Sequence, residues 1–352
     1  MGTFIPNDTA NPYIGEQNKL EVVLEDKLEV ICDVNIVKKV ISEAVNKINL
    51  DSIVCFGNIY VSPFLLGACP EYNITISFLS ETGKYLARVQ GPVSGNVLLR
   101  KQQYRISDDK EKSLEVAKFF IIGKIANQKT VLQRAVRDHG NKIDSEKVKK
   151  VIYKLNRNID KIETVKDLDK LRGIEGDSAE DYFSVFDELI TSQKDDFKFT
   201  GRNRRPPLDN VNAMLSYTYT LLYHDMISAL ECVGLDPAVG FMHRDRPGRL
   251  SLALDLMEEF RAFFVDRIVL SLINRNEVSK DDFEITASGA VIMNEETRKK
   301  LISTYQKKKE SVITHPFVEK KMHMAILFHT QARLLARFIR GDIDGYPVYL
   351  WK

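Results

Sequence analysis

The hydrophobic pattern of the chain changes once, at a stretch rich in glycine and proline over residues 91–95 (GPVSG). Before this stretch, short apolar and β-branched runs alternate with turn residues, a pattern typical of strands. After it, apolar residues recur at intervals of three and four, the period of an amphipathic helix. The sequence therefore predicts an α+β protein with a small β-rich N-terminal domain over residues 1–95. A larger all-α domain is expected over residues 96–352.

Individual elements follow from the same patterns. In the first domain we expect an amphipathic helix over residues 35–48 that packs on a sheet, and strands over residues 20–25, 28–32, 53–56, 74–79 and 85–90. The last two strands are predicted to form a hairpin. In the second domain a long helix is expected to begin at residues 107–109. Further helices are predicted over residues 144–158, 178–192, 208–233, 250–276, 294–310 and 316–340, with a small hairpin over residues 282–294.

Charge and composition exclude several classes of protein. The 51 Lys and Arg residues nearly balance 49 Asp and Glu residues, so any nucleic-acid surface must be a local patch. The four cysteines have no C-x-x-C spacing, which indicates a reducing compartment and no structural zinc site. No apolar stretch approaches the roughly 18 residues needed to cross a bilayer, and no secretion signal is found. We therefore expect a cytoplasmic protein without a membrane partner.

Familiar catalytic motifs are missing from the sequence. There is no G-x-x-x-x-G-K-[ST] for nucleotide hydrolysis, no G-x-G-x-x-G for dinucleotides, no G-x-S-x-G for esterases and no H-E-x-x-H for zinc proteases. The chemistry must then come from a small set of acids and one histidine in the helical half.

The first candidate acid is Glu175, within the segment LRGIEGD over residues 171–177. Glycines on both sides of this acid would let the chain approach a ligand closely. The alternative is a structural one, in which Glu175 stabilises the N-terminus of the helix that follows.

Two further acids, Asp255 and Glu258, are three residues apart and would share one face of a helix. With His243 in the preceding loop, they could hold a divalent metal ion, for which carboxylates favour Mg²⁺ or Mn²⁺ and the imidazole tolerates Mn²⁺ well. The alternative is an exposed acidic helix face, paired with Arg261, beside a histidine without a function.

Two groups of arginines are candidates for binding phosphate. Arg202, Arg204 and Arg205 precede a rigid Pro-Pro pair, and the second group surrounds His243, with members Arg244, Arg246 and Arg249. The alternative for the first group is an ordinary solvated loop.

Several ordered segments give the chain a strong resemblance to a known family. These segments are LRGIEG (171–176), RRPPLDNVN (204–212), GLDPAVGFMH (234–243), PGRLSLALDLMEEFR (247–261) and DRIVLSLINR (266–275). Shorter matches are VCFG (54–57), SFL (77–79), LARVQGP (86–92) and residues 336–352. Together they resemble the CRISPR-associated adaptation endonuclease/integrase, the first Cas protein, in particular the versions that accompany type I-C systems.

The resemblance implies a site and a reaction. It implies that Glu175, His243 and Glu258 hold Mg²⁺ or Mn²⁺, that Asp255 is an additional catalytic acid, and that Glu258 stands where many relatives have aspartate. It also implies a metal-dependent DNA endonuclease and integrase that inserts short DNA fragments into the CRISPR array. The attacking group would be a DNA 3′-hydroxyl, which explains why no protein nucleophile or P-loop is needed. Asp255 would not bind the metal directly but would position a metal ligand or a metal-bound water.

The partners that the resemblance implies are DNA (prespacer and CRISPR repeat), a second copy of the chain joined through the N-terminal domains, and the small second Cas adaptation protein. Two other functions remain open at this stage. One is a structure-specific nuclease that acts on branched DNA in repair, and the other is a DNA-binding scaffold without catalytic activity.

Overall fold

The structure is a computed structural model that describes residues 22–24, 52–56, 60–71, 74–79, 85–89 and 97–351. It divides into two compact units, Met1–Gly95 and Asn96–Lys352. The division falls at the glycine-rich stretch where the hydrophobic pattern changes. The strand predicted over residues 28–32 and the helix predicted over residues 35–48 lie outside the described residues.

The N-terminal unit contains a four-stranded sheet in the order β1 (Val22–Leu24), β2 (Ser52–Phe56), β3 (Thr75–Leu79) and β4 (Tyr85–Val89). Strands β1, β2 and β3 are parallel, and β3 and β4 form the antiparallel pair that the sequence predicts. The parallel step from β2 to β3 needs a crossover, which includes α1 (Pro63–Glu71). Sequence patterning missed this helix because short apolar runs do not separate helix from strand. Cys69 of α1 packs against Ile53, Cys55 and Ile76 of the sheet.

The C-terminal unit is mainly helical. Its helices are α2 (Val97–Asp108), α3 (Lys110–His139), α4 (Ser145–Thr164), α5 (Leu168–Ser184), α6 (Asn210–Cys232), α7 (Ser251–Met257), α8 (Arg267–Asn274), α9 (Glu295–Lys309) and α10 (Met324–Arg340). Two small hairpins interrupt them, β5 (Phe283–Ile285) with β6 (Val291–Met293), and β7 (Val312–Thr314) with β8 (Lys321–His323). The first hairpin is the one predicted from the sequence. The structure confirms the predicted α+β class, in which a small β part accompanies a larger helical part.

Three predicted helices differ from the observed ones. The helix predicted over residues 178–192 begins at Leu168, because Asp167 caps it and accepts a hydrogen bond from the Lys170 amide. The helix predicted over residues 250–276 is divided by a π-helical segment, Arg261–Asp266. The helix predicted over residues 316–340 begins only at Met324, because the residues before it form the second hairpin.

The segment after α10 packs back onto α3. The Asn127 side chain donates to the carbonyl of Tyr349 and accepts from the amide of Trp351. The Trp351 ring lies between two guanidinium groups, with Arg134 at 4.0 Å and Arg267 at 4.4 Å from its centroid. No helix in the described part of the chain is long and apolar enough to cross a membrane.

Candidate metal centre and phosphate-binding surface

Glu175 lies in the interior of α5, at the third turn from its capping residue Asp167. The interpretation of Glu175 as a helix cap is therefore wrong. Gly173 and Gly176 also lie inside α5, and a Cβ atom added at either one would have no neighbour within 4 Å. Arg172 of the same helix donates to the carbonyl of Met242 at 2.7 and 2.9 Å, which ties α5 to the loop that carries His243. This contact was not predicted from the sequence.

Asp255 is fully buried, and its carboxylate organises the loop before α7. It accepts hydrogen bonds from the backbone amides of Phe241 (2.7 Å), Met242 (3.0 Å) and His243 (3.1 Å). Its Oδ1 atom also lies 2.6 Å from Nδ1 of the His243 ring. Because Nδ1 is engaged in this way, Nε2 is the ring atom left to bind a ligand.

Gly240 lets the loop come this close to α7. A Cβ atom at this position would lie 2.8 Å from Asp255 Oδ2 and 2.8 Å from atoms of Ser251. Real Cβ atoms do not approach backbone and carboxylate atoms so closely, so the loop geometry requires glycine here.

Glu258, one helical turn after Asp255, is also buried, with 4% of its side chain exposed. Its Oε1 lies 3.1 Å from Nε of Arg261, and its Oε2 lies 2.9 Å from Nζ of Lys124. The interpretation of Asp255 and Glu258 as an exposed acidic face is therefore wrong, although the pairing with Arg261 is present in the interior. Burial acts to raise the pKa of Glu258, but the charges of Arg261, Lys124 and His243 outweigh it and lower the pKa to about 2.

Lys124 of α3 connects the two halves of the site. Its ammonium contacts a carboxylate oxygen of Glu175 and one of Glu258, and only 8% of its side chain is exposed. Burial acts to lower the pKa of Lys124, but the two carboxylates reverse this and raise it above its ordinary value. The sequence signal for this residue is a lysine at helical spacing from buried Phe120 and Ile121, on the apolar side of α3.

The structure thus brings the carboxylates of Glu175 and Glu258 together around the Nζ atom of Lys124. Asp255 holds the His243 ring beside them. Two carboxylates and an imidazole are a suitable donor set for Mg²⁺ or Mn²⁺. Oε2 of Glu258 is buried and has no hydrogen bond of acceptable geometry, although Lys124 Nζ is 2.9 Å away. Among the residues that the structure describes, no three His, Cys, Asp or Glu side chains are already arranged around one metal position. The donor types suit a metal ion, and in this structure the Lys124 ammonium contacts both carboxylates.

A further buried carboxylate, Asp266, holds the tyrosine whose ring faces Arg261. It accepts hydrogen bonds from Tyr182 at 2.9 Å and from Tyr219. The Arg261 guanidinium lies 4.8 Å from the centroid of the Tyr219 ring. Arg261 therefore contacts Glu258 on one side and an aromatic face on the other, which fixes its position.

The arginines of the first basic group have different environments. Arg202 is directed inward, where it donates to Asn212 Oδ1 and to Ser216 Oγ at 3.1 Å, and its guanidinium lies 5.4 Å from the Tyr219 ring. Burial lowers the pKa of Arg202. Arg204 and Arg205 are exposed to solvent. Of the three, Arg202 instead holds the loop against α6.

The second basic group lies in the loop that follows His243. Arg244 and Arg246 are exposed, and Arg249 is half-buried and donates to the carbonyl of Arg244 at 3.4 Å. Arg244 also pairs with Asp169 of α5 at 2.8 Å. The sequence and the loop geometry together place these cations next to the candidate metal centre.

Comparisons with known proteins identify the family. The sequence profile of the family described as "CRISPR associated protein Cas1" matches residues 21–307. The CRISPR-associated endonuclease Cas1 1 of Chlorobaculum tepidum is 52% identical over 303 residues, which cover 86% of this chain and 88% of that protein.

Two solved structures share the fold. A casposase bound to its integration product is 27% identical, with a TM-score of 0.75 over 86% of this chain and 83% of that one. A Cas6-RT-Cas1–Cas2 complex has a chain with 22% identity and a TM-score of 0.71, over 86% of this chain and 32% of that one. From the profile match and the identity to curated relatives, the chain belongs to the Cas1 family of CRISPR-associated endonucleases.

Proposed function

We propose that this protein is a divalent-metal-dependent DNA endonuclease and integrase that inserts short DNA fragments into a CRISPR array. The observation that supports this most directly is the convergence of Glu175 and Glu258 beside a histidine that a buried carboxylate orients. Membership of the Cas1 family and the likeness to a casposase solved with an integration product support the same reaction class.

Glu175, Glu258 and Nε2 of His243 would hold the Mg²⁺ or Mn²⁺ ion. When bound, such an ion supplies Lewis-acid stabilisation of the charge that develops on a phosphate oxygen and favours ionisation of the attacking hydroxyl group. The reaction is a transesterification, in which a DNA 3′-hydroxyl forms a new phosphodiester bond as an existing one breaks, so no nucleotide needs to be hydrolysed.

The protein's own side chains prepare the site for this reaction. Asp255 fixes the ring orientation of His243. Arg261 contacts Oε1 of Glu258 and so holds this carboxylate in place. Arg244, Arg246 and Arg249 would bind the phosphates next to the scissile bond, and Arg204 and Arg205 would bind phosphates further along the DNA. These contacts position the DNA so that the hydroxyl and the scissile phosphate meet.

We further propose that the protein acts as a homodimer with the small Cas2 protein. The support is that a chain of the same fold occurs in a solved complex that contains Cas1 and Cas2. The N-terminal sheet provides the expected contact between two copies, and light scattering at micromolar concentration should therefore report a dimer. A monomer at this concentration would contradict the dimer.

The test of the catalytic proposal uses end-labelled DNA and a plasmid that carries a CRISPR repeat, with purified Cas2 and either Mn²⁺ or EDTA. The wild type should join the labelled DNA to the plasmid at the repeat in Mn²⁺ and not in EDTA. Glu175→Gln and Glu258→Gln should remove this activity. Glu180→Gln is the matched control, because Glu180 lies exposed on the same helix.

Other outcomes would point to the alternative functions. Metal-dependent cleavage of branched DNA without joining at the repeat would favour a repair nuclease. DNA binding without any metal-dependent product would favour a scaffold. Unchanged activity of both glutamine variants would remove Glu175 and Glu258 from the site.

A further inference from the structure

Lys124 is the one residue at the centre of the site that the proposed reaction does not use. Its ammonium is held by Glu175 from α5 and by Glu258 at the end of α7, and both contacts are with carboxylate oxygens. A buried lysine between two carboxylates satisfies the same electrostatic need that a metal ion between them would satisfy.

The balance of charge inside the site shows what a metal ion must change. Glu175, Glu258 and Asp255 carry three negative charges, and Lys124 and Arg261 carry two positive charges, so the group has a net charge of −1 with His243 neutral. Adding a divalent ion would leave one uncompensated positive charge, which the departure of one resident cation removes. Because uncompensated buried charge is strongly unfavourable, one of the resident cations has to leave the carboxylates.

Arg261 is the cation that remains. It binds Oε1 of Glu258 and lies against the ring of Tyr219, which is itself held by buried Asp266. Among the described residues Lys124 has polar contacts only to the two carboxylates, through a flexible four-carbon stem. Its contact with Oε2 of Glu258 and the contact of Arg261 Nε with Oε1 both lack hydrogen-bond geometry, so the Tyr219 ring is what holds Arg261 more firmly.

We infer that the Lys124 ammonium takes the place of the metal ion between Glu175 and Glu258 in the metal-free protein, so that the metal binds by exchange with it. The inference rests on the proposed function, because it takes these two carboxylates as metal ligands. Lys124 is then a positioning residue: it keeps the ligands together and neutralised until the metal arrives. The same contacts make metal binding weaker than an empty pair of carboxylates would allow.

Removing the charge of Lys124 should therefore have two opposite effects. Without metal, Glu175 and Glu258 would repel each other in the interior, so the metal-free protein should melt at a lower temperature. With metal, no ammonium has to be displaced, so the affinity for metal should rise. A lysine with a merely structural role would produce the first effect and not the second.

The experiment is calorimetric titration of the metal-free full chain with MnCl₂, together with thermal melting with and without Mn²⁺. Lys124→Met and Lys124→Gln should bind Mn²⁺ at least roughly tenfold more tightly than the wild type, because a like charge close to the site is removed. Their melting temperature should rise more on addition of Mn²⁺ than that of the wild type. Lys129→Met is the matched control, since Lys129 lies on the same helix and contacts Asn156 instead.

Equal or weaker Mn²⁺ binding by both Lys124 variants would overturn the inference. If they unfold without metal, the titration is repeated for variants and wild type in sucrose, which stabilises the folded state of both, and equal or weaker Mn²⁺ binding there would also overturn it. Failure of the proposed function looks different: the wild type would then show no Mn²⁺ binding that Glu258→Gln removes. Wild-type binding that depends on Glu258 but is insensitive to Lys124 would leave the proposed function intact.

Discussion

The Nδ1 atom of His243 lies 2.6 Å from Oδ1 of Asp255, a carboxylate that also accepts three backbone hydrogen bonds from the loop carrying that histidine. One buried side chain therefore sets both the path of the loop and the orientation of the ring. A histidine ligand whose second nitrogen is held by a carboxylate has a fixed tautomer and a more basic metal-binding nitrogen.

Asp255→Asn should weaken Mn²⁺ binding by about 10- to 100-fold, the usual effect of losing a partner behind a histidine ligand. An amide offers one acceptor oxygen, and its NH₂ group would face backbone N–H donors, so the melting temperature should fall as well. Calorimetric titration and thermal melting measure the two effects. Asp245→Asn, an exposed aspartate in the same loop, is the control. Mn²⁺ affinity that stays at the wild-type value would contradict the role of Asp255.

Gly173→Ala and Gly176→Ala should each stabilise the protein by about 0.5–1 kcal/mol, because alanine favours a helix interior over glycine and the added Cβ meets no atom. Urea unfolding measures this gain in the free energy of unfolding.

The same variants test whether DNA approaches this face of α5. A stable variant with reduced DNA cleavage would support that approach, and full activity would show that the glycines are not needed for it.

Gly240→Ala should have the opposite effect on stability. Its Cβ would lie 2.8 Å from Asp255 Oδ2 and must displace the loop, at a cost of about 1–3 kcal/mol. Because the displaced loop carries His243, Mn²⁺ affinity should fall together with the unfolding free energy. A variant as stable as the wild type would show that the loop is not held against α7 in this way.

Replacing Arg204 and Arg205 together with glutamine should weaken binding to all DNA sequences alike. The dependence of the binding constant on salt should become shallower by roughly 0.7–0.9 log units for each lost phosphate contact. Arg202→Gln should instead lower stability, by about 1 kcal/mol, because half-buried Ser216 loses its guanidinium donor and buried Asn212 keeps only the Asn203 amide as donor to its Oδ1. If the double variant keeps the wild-type affinity and salt slope, the loop is merely solvated. The DNA path would then follow Arg244, Arg246 and Arg249.

Asp266 should make stability depend on pH. Burial raises the pKa of Asp266 to about 7 from 3.8, although Tyr219 and Tyr182 act in the opposite direction. The folded protein then keeps a proton that the unfolded chain has lost. This contribution to stability is complete below about pH 4 and is lost as the pH rises through 7, up to about 4 kcal/mol.

The measurement is urea unfolding of the wild type and Asp266→Asn at pH 5 and pH 8. Asparagine does not titrate, so the stability of the variant relative to the wild type should increase from pH 5 to pH 8. A difference in unfolding free energy that is the same at both values would show that Asp266 does not change its protonation on unfolding in this range.

The spacing of Asp255 and Glu258 was enough to predict that they share a helical face, but not that this face is buried. Whether a pair of acids lies inside or outside depends on cations from elsewhere in the chain, here Lys124 of α3 and Arg261. Nothing in the sequence around Lys124 distinguishes it from the other 50 basic residues as the partner of these carboxylates. Contacts of this kind follow from tertiary packing, and local patterns do not encode them.

The same reason explains the errors in the predicted elements. Gly173 and Gly176 lie before the helix predicted over residues 178–192, and glycine is a poor helix former, yet Leu171, Ser178 and Tyr182 bury one side of α5 and hold the helix together. The hairpin of β5 and β6 was predictable because a glycine stands between two short apolar runs. In the structure this residue, Gly289, lies in the turn with a positive φ of 78°, which glycine adopts readily. The sequence predicts an element well where its cause is local.

The segment that packs on α3 also reaches the residue next to Glu258. The Tyr346 hydroxyl and the Tyr349 amide both donate to the buried carboxylate of Glu259, and Gln331 donates to it as well. Residues 346–351 follow Glu259 by about 90 positions, so they are translated long after it. Until this segment has been synthesised, Glu259 lacks two of its donors, so the buried carboxylate after α7 stays incompletely hydrogen-bonded. Final packing at this end of α7 is therefore a late event compared with the synthesis of α7 itself, because it waits for about 90 further residues.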